Sequence, residues 1–207
     1  MYNRTIAIAT ALLLCAFFAS AQTCQVNVNQ PPATVTPGAV QAWPRGTQLA
    51  YIMYNGFFVG NYTYWPSEKA DAIRSAQTKW KNLNSATNAD LSFFELQTIP
   101  PNNDPPFIPW LQWLWAALPE VSGRCVFDWR WSTAHNTWRL GHGNCEIDNT
   151  LSTPQVVDVG MHEVGHSLNL NDCPLCTAFT TVMKAPSLVP ANPSACDTAQ
   201  VRQSAYP

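Results

Sequence analysis

Between His162 and Asp172 the sequence reads HEVGHSLNLND, a stretch rich in side chains that bind metals or move protons. Two histidines four residues apart on a helix lie on one face, a turn above each other, so both imidazoles reach a single cation from one rigid wall. Glu163 sits about 100° further round. It misses the ion's own ligand shell and reaches a water beside it, where a general base has to be. Zinc in a catalytic site takes three protein ligands and leaves one position open. Beyond His166 the chain has no His and no Glu. The third ligand is therefore Asp172, Asp197 or a residue upstream, with His142 as the upstream competitor. A helix that stops at Asn169 and turns sharply would swing the short carboxylate of Asp172 back to the imidazoles, and Asn is the best non-glycine residue for such a left-handed turn.

The spacing is HExxH, the arrangement of zinc metalloproteases. A chance match in a chain of this composition is expected on the order of a few times in a thousand, so the flanks decide. They resemble the metzincin zinc endopeptidases, matrixin-like or a related secreted branch, whose signature is HExxHxxGxxH or HExxHxxGxxD. His162, Glu163, His166 and Asp172 match the aspartate form, and Asn169 stands at the glycine. What that glycine supplies is a backbone angle, which Asn tolerates. TTVMKA then puts Met183 at a place for the family's methionine turn beneath the metal. The resemblance implies an α/β domain: a twisted mixed sheet with one antiparallel edge strand, an active-site helix and a C-terminal helix. It also implies one catalytic Zn2+ and a last-but-one strand that borders the cleft and pairs with extended substrate. By order along the chain, Leu140, Gly141, His142 and Gly143 are the expected substrate edge.

The start of the chain carries Arg4, an apolar run from Ile6 to Phe18 and then Ala19, Ser20 and Ala21. That is the pattern of a secretory signal peptide, residues 1–21, cleaved before Gln22. The run is too short to span a bilayer comfortably, so no membrane association is expected after cleavage. Residues 22–47, with PPATVTPG, read as an extended arm, and 48–207 as a single catalytic domain. A net charge of −2 gives no sign of a nucleic-acid partner. Charged residues make up 12% of the chain, about half the usual share, and Pro is abundant. Cys24, Cys125, Cys145, Cys173, Cys176 and Cys196 remain after cleavage, and in an exported chain they are expected to form disulfides. Their pairing is open, and no cysteine-switch pattern surrounds Cys24.

The elements that must position the motif follow from periodicity. Gln48 to Val59 reads as a strand, Ser67 to Leu83 as a helix with Ile73, Ala76, Trp80 and Leu83 on one side, and Asp90 to Gln97 as the next strand. Together they make a βαβ unit and call for a mixed or parallel sheet. The Pro-rich stretch 99–109 is irregular. WLQWLWAALP after it, with Trp110, Trp113 and Trp115, is expected as a loop and short helix folded on the core, or else as an exposed apolar surface. Cys125 to Ser132 and Trp138 to Ile147 alternate as strands. Thr153, Pro154 and Gln155 open the motif helix, with Val156, Val159 and Val164 toward the sheet and Asp158 a candidate partner for an imidazole. Residues 184–193 would wall a substrate pocket by resemblance, and Ser194 with Asp197 opens a last helix ending near Tyr206.

These readings converge on an exported, monomeric zinc endopeptidase acting on protein or peptide substrates, with Glu163 as base. The competing readings are a zinc hydrolase of the same fold with a non-protein substrate, and a non-catalytic module that binds a polymer through Trp110, Trp113 and Trp115. The preferred peptide, the disulfide map and any structural calcium are not written in these residues.

Overall fold

The computed structural model describes residues 39–41, 46, 48–53, 62–87, 89–96, 110–132, 137–173, 176, 181–184 and 192–205. In chain order these form β1 (Ala39–Gln41), β2 (Gln48–Met53), β3 (Tyr62–Thr63), α1 (Ser67–Lys81), α2 (Asn84–Thr87), β4 (Ser92–Glu95), β5 (Trp110–Ala116), β6 (Gly123–Ser132), β7 (Thr137–Asp148), α3 (Thr153–Ser167) and α4 (Ala195–Ala205). The expected signal peptide and Cys24 lie outside the described residues, as does most of 184–193. Within the expected arm, Ala39–Gln41 forms a short strand parallel to the start of β7 where the sequence predicts little regular structure. Among the described residues no helix is long and apolar enough to cross a membrane.

The fold is mixed α/β. Strands β4, β2, β5 and β7 lie side by side and parallel, with Gln48 opposite Ser92, Ala50 opposite Trp110, and Leu111 opposite Gly143. The expected βαβ unit is β2–α1–β4. β6 runs antiparallel to β7 and is the outer strand on that side. Alternate residues of the sheet, among them Leu49, Leu111, Trp113, Cys145 and Ile147, form one core with Ile73 and Trp80 of α1 and with Val156, Val159 and Val164 of α3. Burying each such aliphatic side chain stabilises the fold by about 1.5–3 kcal/mol. Valines at these spacings thus press the motif helix against the sheet, as its periodicity predicts.

Two expectations are corrected. Trp110 to Ala116 is neither loop nor helix but a central strand, because its unbroken apolar run suits a parallel strand covered on both faces. Trp113 is fully buried and Trp115 nearly so, which leaves neither as a face for a polymer. The second correction concerns Leu140, Gly141, His142 and Gly143. They lie within β7, with Leu140 opposite Trp129 of β6, and Gly143 between Phe127 of β6 and Leu111 of β5. In the β6–β7 hairpin it is β7 that joins β5, so the earlier strand is left outside and β6 is the edge.

Candidate metal centre

α3 is fixed at both ends. At its start the Ser152 N–H donates to Gln155 Oε1 at 2.9 Å, and Lys69 Nζ of α1 donates to Leu151 O and Thr153 Oγ1, both at 3.0 Å. Midway, Trp80 Nε1 donates to Met161 O at 2.9 Å. At its end the Leu170 N–H returns to Gly165 O at 3.1 Å and the Asn169 N–H to His166 O at 3.0 Å, with Asn169 at φ 69°. This is the paired-bond helix stop that a left-handed residue permits. The turn expected at Asn169 is present, and it reverses the chain so that Asp172 faces back onto the helix.

His162 Nε2 lies 3.0 Å and His166 Nε2 3.6 Å from Asp172 Oδ1. The three ligand atoms fall within 4.8 Å of one another. Tetrahedral zinc with ligands at about 2.0–2.1 Å holds them about 3.3 Å apart, and the two distances to Asp172 Oδ1 bracket that value. The other ring nitrogens are committed: His162 Nδ1 donates to Val182 O and His166 Nδ1 to Leu170 O, both at 2.9 Å. Each carbonyl fixes its ring with Nδ1–H, leaving the Nε2 lone pair for a cation.

Glu163 is 2% exposed, and its Oε2 has no hydrogen-bond partner among the described residues. Burial, reinforced by the charge of Asp172 and opposed by His162, raises its pKa from 4.5 to about 7. A buried carboxylate oxygen without a described partner can take a proton from a water or substrate. For His162, burial lowers the pKa, but Asp172, Glu163 and the Val182 carbonyl outweigh it and the result is raised. Burial, aided by the charge of His162, lowers His166 to about 4. The hydrogen bond from His162 lowers Asp172, with burial opposing it.

Met183 is fully buried, packs against Gly165 on the underside of α3, and accepts the Cys173 N–H on its carbonyl at 2.8 Å. The other candidates lie elsewhere. His142 Nε2 accepts Trp110 Nε1–H at 3.2 Å and its ring lies against Trp110 at a 50° tilt, so it is not in the ligand group. Asp197 is wholly buried among donors from residues 181, 182 and 194. Asp158 responds to burial and to Lys79 of α1, and the imidazole nitrogens are served by backbone carbonyls instead.

Three features of the site escape sequence reading. Gly123, at the start of the edge strand, leaves room for the base: a Cβ there would stand 2.8 Å from Glu163 Oε1. Cys125 and Cys145 form a disulfide across β6 and β7, with Cys125 Sγ also 3.6 Å from the Glu163 carbonyl. Cys173 and Cys176 form another, directly after Asp172. Only the CxxC spacing of the second pair hinted at its partner.

No protein-family model and no curated protein matches the chain. Among solved structures it is similar, at 13% identity and a TM-score of 0.45, to a chain described as "GM1 bound form of the ECX AB5 holotoxin", over 82% of this chain and 90% of that one. A likeness of that degree carries no argument about function.

Proposed function

We propose that this protein is an exported zinc-dependent endopeptidase of metzincin type. The observation that carries the reading is the convergence of His162 Nε2, His166 Nε2 and an Asp172 carboxylate oxygen, with the buried carboxyl of Glu163 one residue along the same helix. His162, His166 and Asp172 would hold the zinc. When bound, it supplies a Lewis acid that polarises the scissile carbonyl and makes water acidic enough to attack near neutral pH. Glu163 accepts the proton of the attacking water and returns it to the leaving amine. A nearby cation would pull its pKa down from about 7, keeping it ionised at neutral pH. Among the described residues β6 pairs only with β7, and such an outer edge offers backbone hydrogen bonds to an extended peptide, which favours protein over small-molecule substrates. Two disulfides among the described residues support an oxidising compartment and export.

The test is metal content of the purified protein together with turnover of a broad peptide library, before and after chelation. One zinc per chain and cleavage that is lost on chelation and restored by zinc are expected. A zinc-loaded chain that cleaves no peptide would transfer the site to a hydrolase with another substrate.

A further inference from the structure

Asp197 is a fully buried carboxylate with no role in the chemistry above. Part of its environment is a helix cap. The Ser194 N–H and Oγ–H donate to Asp197 Oδ2 at 2.7 and 2.9 Å, and the Asp197 N–H returns to Ser194 Oγ at 3.2 Å, the reciprocal pattern that starts a helix. A cap needs only one oxygen. The other, Oδ1, accepts the hydroxyl of Thr181, and Oδ2 also takes the Val182 N–H at 3.1 Å. Thr181 Oγ1 in turn accepts the Met183 N–H at 2.9 Å. That N–H belongs to the same peptide unit as the Val182 carbonyl, which accepts His162 Nδ1–H at 2.9 Å.

We propose that Thr181 and Asp197 are positioning residues for the metal ligand His162, acting through a relay that runs His162 Nδ1–H to the Val182–Met183 peptide, to the Thr181 hydroxyl, to the Asp197 carboxylate. Every donor in it points the same way, so each bond polarises the next and the negative charge at its end strengthens the acceptor facing the imidazole. The ring is held in one orientation, with its Nε2 lone pair presented to the cation and made more basic. Thr181 is 3% exposed, so water does not compete for its hydroxyl. The relay also fixes the turn that seats Met183 under α3 and, through Met183 O, the Cys173 N–H beside Asp172.

The inference rests on the zinc reading and is tested by zinc affinity, from competition with a chromophoric chelator well below the melting temperature, and by the visible spectrum of the cobalt-substituted chain. Thr181→Val removes the hydroxyl at nearly constant volume and is expected to weaken zinc binding about 10–100-fold and shift the cobalt spectrum. Thr181→Ser keeps the hydroxyl and should stay within about threefold of the parent chain. Ser194→Ala removes the hydroxyl of the cap and leaves the Thr181 and Val182 bonds to Asp197 in place. It should lower Tm by several degrees and leave the affinity and the spectrum unchanged, which separates positioning from plain stability. Should Thr181→Val fail to fold, Asp197→Asn has the same shape without the charge and is judged by the same measurements. Zinc binding within about threefold of the parent and an unaltered cobalt spectrum in whichever variant folds would overturn the relay alone. A parent chain that holds no zinc would remove the metal reading and the relay with it.

Discussion

His162 and His166 leave α3 with side chains 15% and 14% exposed, whereas Asp172, on the chain just after the helix, keeps half of its side chain exposed. The histidines are carried by a helix whose apolar side is built into the core and whose ends are bonded to α1 and to its own stop. Asp172 is placed by one left-handed residue, a disulfide three residues long and the bond from Cys173 to Met183 O. One half of the cluster is therefore set by burial, and the other by a few local constraints together with the imidazoles it faces. Removing the base from the helix half should alter the chemistry at constant occupancy. Damage to the loop half should alter occupancy first.

The largest effect is expected from the base. Glu163→Ala should keep one zinc per chain while peptide turnover falls about 10²–10⁴-fold. Zinc analysis and a single-turnover assay on the same preparation check it, and zinc lost along with activity would mean that Glu163 is part of the ligand set. Asp172→Ala should do the opposite. Losing a group behind a ligand already costs about 10–100-fold in affinity, so losing the ligand itself should exceed that, with partial recovery of turnover at high zinc. If the variant retains tight zinc and near-normal turnover, the contrast between the halves collapses and the third ligand is another residue.

Gly123→Ala comes next in size. Its new methyl would meet Glu163 Oε1 and Val159, pushing the carboxylate off its line by a fraction of an ångström to an ångström. Displacements of that size cost up to about 100-fold in turnover. Zinc affinity should not change, because the side chains the new methyl meets, Glu163 and Val159, are not ligands. Equal losses in affinity and turnover would show that the edge strand supports the ligands as well as the base.

The same division explains what could be read from the sequence. The helix half was legible because HExxH sits on a periodic apolar pattern with a Ser/Thr-Pro start, and each of these signals is local. Asn169 was legible too, since few residues accept φ near 69°. The Trp110–Ala116 strand was not. A short unbroken apolar run fits a buried helix and a central strand equally, and pairing with β2 and β7, far away in sequence, makes the choice. Nor was the edge: β6 and β7 both alternate, and only contact with β5 says which of them is outside. Thr181, Val182 and Asp197 follow no spacing rule, because their partnership runs through backbone atoms that every residue carries.

The smallest effect concerns the proton economy of the metal-free helix half. The folded pKa of Glu163 is raised from 4.5 to about 7 by burial, so the folded chain prefers the neutral carboxyl. Its contribution to stability is fully present below pH 4.5 and is lost as the pH rises to about 7. Glu163→Gln cannot ionise and should gain on the parent across that window. His166, lowered to about 4, works in the other direction but is present in both chains and largely cancels in the difference. At about 1.4 kcal/mol per unit the shift sets a ceiling of about 3 kcal/mol. Glu163 also helps hold the proton on His162, an attraction that Gln gives up, which brings the observable gain to the order of 1 kcal/mol, or about 2–4 °C in Tm. Melting curves of the two chains in chelator should coincide in relative stability below pH 4.5 and separate toward pH 7. A difference that stays constant over that range would mean the carboxyl of Glu163 is solvated in the metal-free fold, and that the helix half is no more closed to water than the loop half.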